Sequence, residues 1–417
     1  MRLTKVISLV AATSLASAST IAPRNNKYHR HDKRAIYFLD NSPNGTSIVS
    51  VPVEKDGTLS SSSDAVRTPT GELGLFSVDS NGVAPMADTL VSQSSLLVSG
   101  DFLFNVNPGS NSISLFSIPP RAPTHPILLS SATVAGEFPN SLAYSSSLNL
   151  VCAVSTGAKT GVSCFRVSRR GKKLVPAVDL AIPFPTNQTT PPVGPPSTAS
   201  HILFSPDDRS LILTIKGDGA TPGYFVSYPI SAESGAPEED KMATSRPGEV
   251  AINFSLSFLT PSSAGAVVTD PSRGGALISF SRNNDSTAVT VDAAIDVANQ
   301  TATCWSQYSE KLGQVYMLDG GSPDVILVSP ETGEVEGFIE GDENAAGLFD
   351  AIIGGGAEKG EFLYVLQATA GISVFELGGG YGCQADGKGR EPQLVQSVDL
   401  GALGSRQGWM GMGYYPN

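Results

Sequence analysis

A loose sequence unit recurs seven times along this chain of 417 residues, and it constrains the fold more than any other feature. Each unit contains short runs rich in Val, Ile, Leu, Phe and Ser, separated by turns of Gly, Pro, Asn, Asp and Ser, the pattern of β-strands. The units recur about every 45 to 65 residues and cover 34–53, 96–118, 140–168, 201–230, 256–282, 304–329 and 349–377. A repeat of this length is typical of one four-stranded propeller blade.

The predicted architecture is an all-β, seven-bladed β-propeller in a single domain over residues 35–417. One blade cannot bury both of its faces, whereas blades packed around an axis share an apolar core. The first unit lacks its innermost run, and the last residues, GWMGMGYYPN, look like an innermost run with no blade after it. We therefore expect the C-terminal strand to pair with the N-terminal blade and close the ring. Two β-sandwich domains are the alternative, but they do not explain seven similar units.

The first residues have the three parts of a secretory signal peptide, which we place at 1–18. Arg2 and Lys5 precede an apolar run, and Ala16-Ser17-Ala18 offers a cleavage site. The basic stretch at 19–34 ends in a Lys-Arg pair, which indicates either a removed propeptide or a plain basic tail. The apolar run is too short to span a bilayer, and no later segment is long enough. We expect a secreted protein, extracellular or in the cell wall, without membrane insertion.

The charge of the chain limits its partners. The net charge is −12, and removal of residues 1–34, with seven basic residues and one acid, would make it −18. An acidic chain without a basic stripe argues against nucleic-acid binding and against attraction to anionic lipid. Only four histidines occur, and the four cysteines lack zinc-site spacing, so we predict no metal and no cofactor. The oligomeric state is left open.

Two cysteines are expected to pair. Cys152 and Cys164 flank a Gly-rich turn between two strand-like runs, so antiparallel pairing would place them opposite each other. A disulfide then requires Cα atoms about 4.4–6.8 Å apart, and two buried free thiols are the alternative. Cys304 and Cys383 are candidates for a second bridge, with weaker support.

Secretion would also make the N-x-S/T sequons into glycosylation sites. We expect glycans at Asn44, Asn187, Asn284 and Asn299. A fifth sequon, at Asn253, lies inside an apolar stretch and is the least suited to carry one.

Several motifs together resemble the lactonase-type seven-bladed propellers, a family that includes 6-phosphogluconolactonases and carboxymuconate cyclases. The resemblance covers roughly 34–417 and looks closest to the secreted fungal branch. The motifs are FNVNPGSNSISLFSI (104–118), ILFSPDDRSLILTIKGDG (202–219), ATCWSQYSEKLGQVYMLDGGS (302–322), DAIIGGGAEKGEFLYVLQATAGISVFEL (350–377) and the ending LGALGSRQGWMGMGYYP.

The resemblance implies opening or closing of a lactone ring in a small carboxylated or lactone substrate. Bacterial relatives typically carry histidines four and six residues before the Phe of the F-x-P-D motif. Counted back from Phe204, those positions hold Ser200 and Thr198, and His201 is one place off. On a regular strand a shift of one residue turns a side chain to the other face. The usual acid-base set of the family is therefore in doubt.

The candidate site residues are polar positions expected near the channel mouth. Lys216 and Arg246 would clamp a substrate carboxylate, with Glu137 as a further binding residue. The proton would be moved by Asp350, Glu249 or His201.

Other roles for these residues remain open. Lys216 also fits a solvated turn, and Arg246 and Glu249 lie in a charged loop where surface pairing is usual. Asp350 also suits the holding of backbone N–H groups. The Pro-rich stretch at 183–197 is either a surface loop or a lid over one face.

Two functions from different classes fit these features. One is an extracellular lactonase or cycloisomerase. The other is a non-catalytic secreted propeller that serves as a cell-wall, adhesion or antigenic glycoprotein. Convergent cations and a carboxylate at a channel mouth would favour the enzyme, whereas a flat mouth without convergent charges would favour the binding protein.

Overall fold

The computed structural model describes residues 34–168, 170, 172–182, 186–259, 265–283, 286–356, 360–378 and 391–416. Over these ranges the strands form seven four-stranded antiparallel sheets. Six sheets use four consecutive strands, and the remaining sheet joins the last strand of the chain to the first three. The predicted seven-bladed propeller is thereby confirmed, with one sequence unit in each blade.

The strands are numbered in chain order. Blade 1 contains β1 (Ala35–Asp40), β2 (Ser47–Pro52) and β3 (Val66–Pro69). Blade 2 contains β4 (Leu96–Ser99), β5 (Phe102–Asn107), β6 (Ser112–Ser117) and β7 (Ile127–Thr133). Blade 3 contains β8 (Pro139–Ser145), β9 (Leu150–Ser155), β10 (Gly161–Ser168) and β11 (Lys173–Leu180). Blade 4 contains β12 (Ala199–Phe204), β13 (Ser210–Ile215), β14 (Tyr224–Pro229) and β15 (Ala243–Ser245).

Blade 5 contains β16 (Leu256–Phe258), β17 (Gly265–Asp270), β18 (Gly274–Asn283) and β19 (Ser286–Asp296). Blade 6 contains β20 (Thr303–Ser309), β21 (Gln314–Asp319), β22 (Val325–Val328) and β23 (Val335–Ile339). Blade 7 contains β24 (Leu348–Gly356), β25 (Gly360–Gln367), β26 (Gly371–Glu376) and β27 (Gln393–Asp399), and β28 (Trp409–Tyr415) completes blade 1. The described helices are single 3-10 turns at Ser62–Asp64, Pro108–Ser110, Glu239–Lys241, Glu343–Ala345, Gly401–Leu403 and Arg406–Gly408. Among the described residues, no helix has the length and apolar character needed to cross a membrane.

Burial falls from the axis toward the rim. Every residue of β1 and β13 is buried, whereas the outermost strand β3 alternates between half-buried and exposed residues. The reason is that each blade packs between two others, so its inner strands have no solvent face. Ile36 of blade 1, for example, shares a buried cluster with Phe362 of blade 7. The hydrophobic core therefore lies between the blades.

The ring closes through an antiparallel pairing of β28 with β1, as predicted. Phe38 lies opposite Met412 and Leu39 opposite Met410, so Gly411 is an extra, bulged residue. Its φ of +62° favours glycine, and a Cβ at this position would lie 2.5 Å from the hydroxyl of Ser95. Backbone pairing with β1 therefore holds the closing strand, and the absence of a side chain at Gly411 leaves room for Ser95.

Similar bulges occur near the start of other inner strands. The ladders skip one residue at Asn140 in β8, at Ser200 in β12 and at Cys304 in β20, and in β24 two residues between Leu348 and Ala351 lie opposite one residue of β25. A bulge interrupts the alternation of side chains between two faces. The ladder from His201 to Phe204 is regular, and the bulge interrupts the alternation only at Ser200. The relative orientation of Ser200 and His201 therefore does not follow from counting by twos.

The first described residue belongs to the propeller. Arg34 is 4 % exposed, and its guanidinium donates to the carbonyls of Gly355 at 2.8 Å and Glu54 at 3.2 Å. The domain therefore includes Arg34, which the prediction from sequence had placed in the possible propeptide at 19–34. The predicted signal peptide and residues 19–33 lie outside the described residues.

The predicted disulfide is present in the structure. Cys152 in β9 and Cys164 in β10 are directly paired and bonded, with Cα atoms 4.0 Å apart. This separation is slightly below the expected range, because the two residues face each other on adjacent strands. Cys304 carries a free, buried thiol, and burial raises the pKa of that thiol well above its usual range. Cys383 lies outside the described residues, so a second bridge stays a prediction.

Removal of the disulfide should destabilise the protein without changing its fold. We expect the double substitution Cys152→Ala and Cys164→Ala to lower the free energy of unfolding by about 2–4 kcal/mol, because the loop closed in the unfolded state is lost. Urea denaturation measures the difference, and reduction of the wild type should shift its midpoint in the same direction. Free thiols at both positions in a non-reducing peptide map would contradict the prediction.

Candidate functional site

A segment between blades 1 and 2 reaches across the end of the channel where the inner strands begin. We call residues 88–95 the crossing segment. The hydroxyl of Ser92 donates to Asn140 O of blade 3 at 2.7 Å, and Gln93 Nε2 donates to Ser306 O of blade 6 at 3.3 Å. The crossing segment thus connects inner strands on separate sides of the ring and covers this channel end.

The backbone of the crossing segment is strained. Asp88, Val91 and Ser94 have φ values of 52°, 47° and 64°, a region that β-branched residues such as valine rarely adopt. Each such residue costs about 1–3 kcal/mol and persists only when its surroundings hold it. The ammonium of Lys216 supplies one such contact by donating to Val91 O at 2.6 Å.

The Pro-rich segment, residues 186–197, lies over the same end. Val193 forms a parallel bridge with Val78, and Gly194 packs against the side chain of Val91 in the crossing segment. The carboxylate of Glu137 accepts a hydrogen bond from Thr190 at 2.6 Å. The described part of the Pro-rich stretch is therefore a cover over the crossing segment, and Glu137 anchors it.

Lys216 follows β13 and is almost fully buried. Its side chain is 2 % exposed, and Nζ donates to Val91 O at 2.6 Å and Thr198 Oγ1 at 3.0 Å. Burial lowers its pKa to about 7, while the negative charge of Asp88 raises it. The alternative of a solvated turn lysine is therefore wrong, and this ammonium titrates near neutral pH.

Asp350 lies in β24 and faces the closing strand. It is 2 % exposed, and Oδ2 accepts a hydrogen bond from the bulged Gly411 N–H at 2.7 Å. Burial raises its pKa to about 7, against the Gly411 hydrogen bond and the positive charge of Arg406, which lower it. Asp350 thus holds a backbone N–H group and also has the pKa of a proton-transfer group at neutral pH.

Two further charged residues that interact electrostatically with Asp350 were missed by the sequence analysis, namely Arg406 and Asp88. Arg406, just before β28, donates from Nη1 to Trp409 O at 2.7 Å and from Nε to Gln367 O. Burial lowers its pKa to about 10, while Asp350 and Asp88 raise it. The only sequence signal is an arginine directly before the closing strand, and nothing in the sequence marks Asp88 in the connection between blades.

An aromatic row lies against the two buried cations. The rings of Phe254 and Trp305 are 5.0 Å apart, and those of Trp305 and Phe349 are 4.8 Å apart. Lys216 Nζ is 4.6 Å from the Phe254 centroid, and the Arg406 guanidinium is 5.0 Å from the Phe349 centroid. Inner segments of blades 5, 6 and 7 thus support a cation at each end of the row.

A cavity of about 180 Å³ lies along the channel beside the crossing segment. It is lined by Gln93, Ser94, Leu96, Leu97, Val98, Gln307, Asp350, Ala351, Ile352, Ile353, Met412, Gly413 and Tyr414. Asp350 is the carboxylate of this lining, and most of the other side chains are apolar or carry uncharged polar groups. The cavity can therefore present a small, largely apolar molecule to one acid-base group.

His201 is fixed as a neutral ring. Its Nδ1 accepts the Leu256 N–H at 3.1 Å, so Nε2 carries the proton and bonds the Ser94 hydroxyl at 3.0 Å. Burial lowers its pKa to about 3. Both ring nitrogens are engaged and the imidazole remains uncharged at neutral pH, so this geometry favours a structural role.

Arg246 lies at a second, more open pocket of about 200 Å³ on blade 4. Lys216, Asp218 and Tyr224 also line it, and the Arg246 guanidinium stacks 4.4 Å from the Tyr224 centroid. The predicted pair of Lys216 and Arg246 therefore borders one pocket, although the Lys216 ammonium donates inward to Val91 and Thr198. Glu249 is exposed in the same loop and lines neither this pocket nor the channel cavity.

No group of three or more His, Cys, Asp or Glu side chains converges to hold a metal ion within the described ranges. Electrostatic interactions connect four charged residues near this channel end: Asp350 interacts with Arg406, and Asp88 interacts with Asp350, Arg406 and Lys216. We call these four residues the channel cluster.

The buried carboxyl of Asp350 should make stability depend on pH. Its folded pKa of about 7 exceeds the unfolded value near 4, so folding binds the proton more tightly. The stabilisation is present below about pH 4 and is lost as pH rises to about 7. Asp350→Asn keeps an acceptor for Gly411 N–H and removes this loss.

Thermal denaturation from pH 4 to pH 8 tests this dependence. The melting temperature of Asp350→Asn relative to wild type should rise across the range, by an amount equivalent to a few kcal/mol. The exposed residue Asp240 provides a matched control, Asp240→Asn, which should show little such trend. A flat difference between Asp350→Asn and wild type would contradict a buried, protonated carboxyl.

Several solved proteins resemble this chain in fold. No protein-family model matches the chain, and no curated protein matches it either. A solved protein from Lactobacillus plantarum has a TM-score of 0.60 and 14 % identity, covering 92 % of this chain and 99 % of that one. The periplasmic gluconolactonase of Pseudomonas aeruginosa has a TM-score of 0.59 and 15 % identity, covering 91 % and 99 %.

A candidate 6-phosphogluconolactonase from Bacteroides fragilis has a TM-score of 0.54 and 15 % identity, covering 92 % of this chain and 98 % of its own. At these identities the likeness concerns the fold. The chain therefore has the seven-bladed propeller fold of gluconolactonase-like proteins.

Proposed function

We propose that this chain is a secreted lactonase-type propeller of the fungal branch, which opens or forms a lactone ring in a small carboxylated substrate. The observation that carries the proposal is the position of Asp350, which lines the channel cavity and interacts electrostatically with the buried cation Arg406. A second buried cation, Lys216 of blade 4, lies at the other end of the aromatic row. Titratable groups with displaced pKa values that meet beside a cavity are typical of a site of chemistry.

The channel cluster can supply the parts that hydrolysis of a lactone requires. Asp350 accepts a proton from water as the water oxygen attacks the lactone carbonyl carbon. The ring C–O bond then breaks, and the leaving oxygen takes that proton. Lys216 holds the substrate carboxylate, and Arg406, at the other end of the aromatic row and beside Asp350, offsets the negative charge that develops on the carbonyl oxygen.

Lactone formation would use the same residues. A substrate carboxylate oxygen adds to a carbon of a double bond, and protonated Asp350 gives its proton to the neighbouring carbon. A pKa of about 7 leaves both forms of Asp350 present at neutral pH, as proton transfer in either direction requires. Neither direction needs a cofactor.

The second pocket, at Arg246, is a weaker choice for the reaction. Asn187 lines it as well, and this residue belongs to one of the predicted glycosylation sequons. A glycan there would stand at the pocket. The buried acid of Asp350 also belongs to the channel cavity and not to this lining.

Secretion and glycosylation are part of the proposal. The Cys152–Cys164 disulfide suits an oxidising compartment. Asn44, Asn187 and Asn299 are exposed, as glycan attachment requires. Asn253 is 0 % exposed and donates to Tyr224 O at 2.9 Å, which supports leaving it unmodified, and Asn284 lies outside the described residues.

A non-catalytic secreted glycoprotein of the cell wall, of adhesion or of antigenic character is the second candidate. The observation that favours it is the double cover of the channel end by the crossing segment and the Pro-rich segment. The neutral, fully engaged ring of His201 points the same way.

Turnover should depend on Asp350 and Lys216. Purified protein is assayed against a panel of lactones and muconates, and Asp350→Asn should lower kcat/KM by about 100-fold or more because the proton carrier is lost. Lys216→Met, which keeps the apolar stem against Phe254 and removes the charge, should raise KM for carboxylated substrates. Ionisation of Asp350 and deprotonation of Lys216, both with pKa values near 7, should give a bell-shaped pH profile.

Arg209→Ala is the matched control, since Arg209 is an exposed cation in the turn between β12 and β13 of blade 4. It should retain full activity. Absence of turnover across the panel by folded wild-type protein, or full activity in Asp350→Asn, would reject the enzyme and favour the glycoprotein.

A separate prediction concerns the export and glycosylation of the protein. Protein expressed in a eukaryotic secretory host should appear in the medium, and treatment with an N-glycosidase should lower its apparent mass. Mass spectrometry after deglycosylation in ¹⁸O water should mark Asn44, Asn187 and Asn299 and leave Asn253 unmarked. Retention of the protein inside the cell without glycan would contradict secretion.

A further inference from the structure

The crossing segment closes its own end of the channel. Leu90, Ser92 and Ser95 of this segment are fully buried, and Gly194 of the Pro-rich segment packs against the side chain of Val91. Solvent therefore does not reach the channel cavity past these residues. A ligand of the cavity has to arrive from another direction.

The side chains that line the cavity become more exposed with distance from the crossing segment. In three of the lining strands, a residue near the strand start is buried and a residue further along is half-buried. Because the inner strands begin at the covered end, solvent enters the cavity from the opposite end, which we call the open mouth. The pairs are Asp350 and Ile353 in β24, Leu96 and Val98 in β4, and Met412 and Tyr414 in β28.

Polar and apolar side chains are separated along the cavity. Gln93, Ser94 and Asp350 line its closed end, whereas Val98 and Ile353 belong to the half-buried wall near the open mouth. Within the described part of the chain, Asp350 is the charged side chain of this lining. The cavity is therefore suited to an amphipathic molecule that enters with its polar end first.

The wall near the open mouth is held in place by hydrogen bonds. Gln307 Nε2 donates to Ala351 O at 3.0 Å, and the Tyr414 hydroxyl donates to Gly355 O. A Cβ at Gly354 would lie 2.5 Å from the Tyr414 ring, so this glycine leaves room for the ring. The polar groups of the wall are thus bonded within the protein, and the surface that they leave to a ligand is largely apolar.

The cavity has the size of a small ring with a short chain. Its volume is about 180 Å³, and an apolar cavity of about 150 Å³ is large enough to bind benzene. Between Asp350 and Ile353, β24 advances by about 10 Å, at roughly 3.3 Å per residue. A five-membered ring beside Asp350 would therefore place an alkyl substituent along the apolar wall.

We propose that the channel cavity is entered through the open mouth and selects a small polar ring that carries an alkyl chain. The ring lies at the closed end beside Asp350, and the chain lies along the wall that includes Val98 and Ile353. Binding of such a molecule can be tested without catalysis. The identification of the ring as a lactone substrate rests on the proposed function.

Calorimetric titration of the wild type with γ-lactams of increasing chain length tests the apolar wall. A γ-lactam has an amide in place of the ester, so the ring stays closed during the titration. The butyl-substituted lactam should bind at least 10-fold more tightly than the unsubstituted lactam, because each methylene moved out of water strengthens binding about fourfold. Equal affinities for the two lactams would overturn the proposal.

A matched pair of variants tests which residues form the wall. Ile353→Thr keeps the β-branched shape and introduces a hydroxyl at the cavity, so it should reduce the advantage of the butyl lactam about threefold or more. Ile127→Thr is the control, because Ile127 is exposed on β7 at the rim, and it should keep the wild-type advantage. An unchanged advantage in folded Ile353→Thr would reject this wall.

Protection of cysteines from alkylation tests the direction of entry. Val98→Cys places a thiol near the open mouth, and Val193→Cys places one in the Pro-rich segment at the covered end. Saturating butyl lactam should slow the reaction of Val98→Cys with N-ethylmaleimide at least 10-fold and leave the rate for Val193→Cys unchanged, as peptide mapping measures. Protection of Val193→Cys, or of neither thiol, would overturn the open mouth as the entrance.

Prior alkylation gives the converse measurement. N-ethylmaleimide attached to Val98→Cys should abolish binding of the butyl lactam, whereas the same adduct on Val193→Cys should leave the affinity unchanged. Full affinity after alkylation of Val98→Cys would reject this route. The lactam series uses the wild type, so it does not depend on the folding of any variant.

The two proposals fail in distinguishable ways. Chain-length-dependent lactam binding and protection of Val98→Cys, without turnover of any lactone, would support the cavity as a binding site and reject the enzyme. Turnover of lactones that depends on Asp350 but shows neither chain-length preference nor protection would support the enzyme and reject the open mouth and its apolar wall.

Discussion

The antiparallel pairing of β28 with β1 is the contact on which the rest of the molecule depends. Without it, β1 would present an unpaired edge, and the buried cluster shared by blades 1 and 7 would lose Trp409 and Met412. The same pairing places Gly411 N–H against Asp350. Ring closure therefore completes the hydrophobic core and positions the acid of the channel cluster in one step.

The scaffold was predictable because its signal is repeated. Each of the seven sequence units favours β-strands in the same order. The C-terminal run has no unit of its own, so it can pair only with the first blade. The Cys152–Cys164 bond was predictable for a similar reason, since a short hairpin fixes which residues face each other. These features depend on local pattern and on topology, which a single sequence expresses directly.

The candidate site was less predictable because its residues lie at bulges, where strand alternation is interrupted, or in a connection between blades. The bulge at Ser200 interrupts the alternation of side chains next to His201, and a bulge leaves no clear mark in a strand of ordinary residues. Asp88 enters the site through a connection with positive φ at Val91 and Ser94, which no sequence rule assigns to those residue types. Lys216 and Asp350 were identified, but their burial was not, because it follows from segments distant in sequence.

Closure by the last strand also has a consequence for the order in which the molecule is made. Asp88 leaves the ribosome early, Lys216 follows after two more blades, and Arg406 and Gly411 emerge with the final turn and strand. Until then Asp88 lacks the positive charge of Arg406, and β1 lacks its inner neighbour β28. The channel cluster is therefore completed last: a chain stalled before residue 406 contains Asp88, Lys216 and Asp350 but lacks Arg406 and the closing strand.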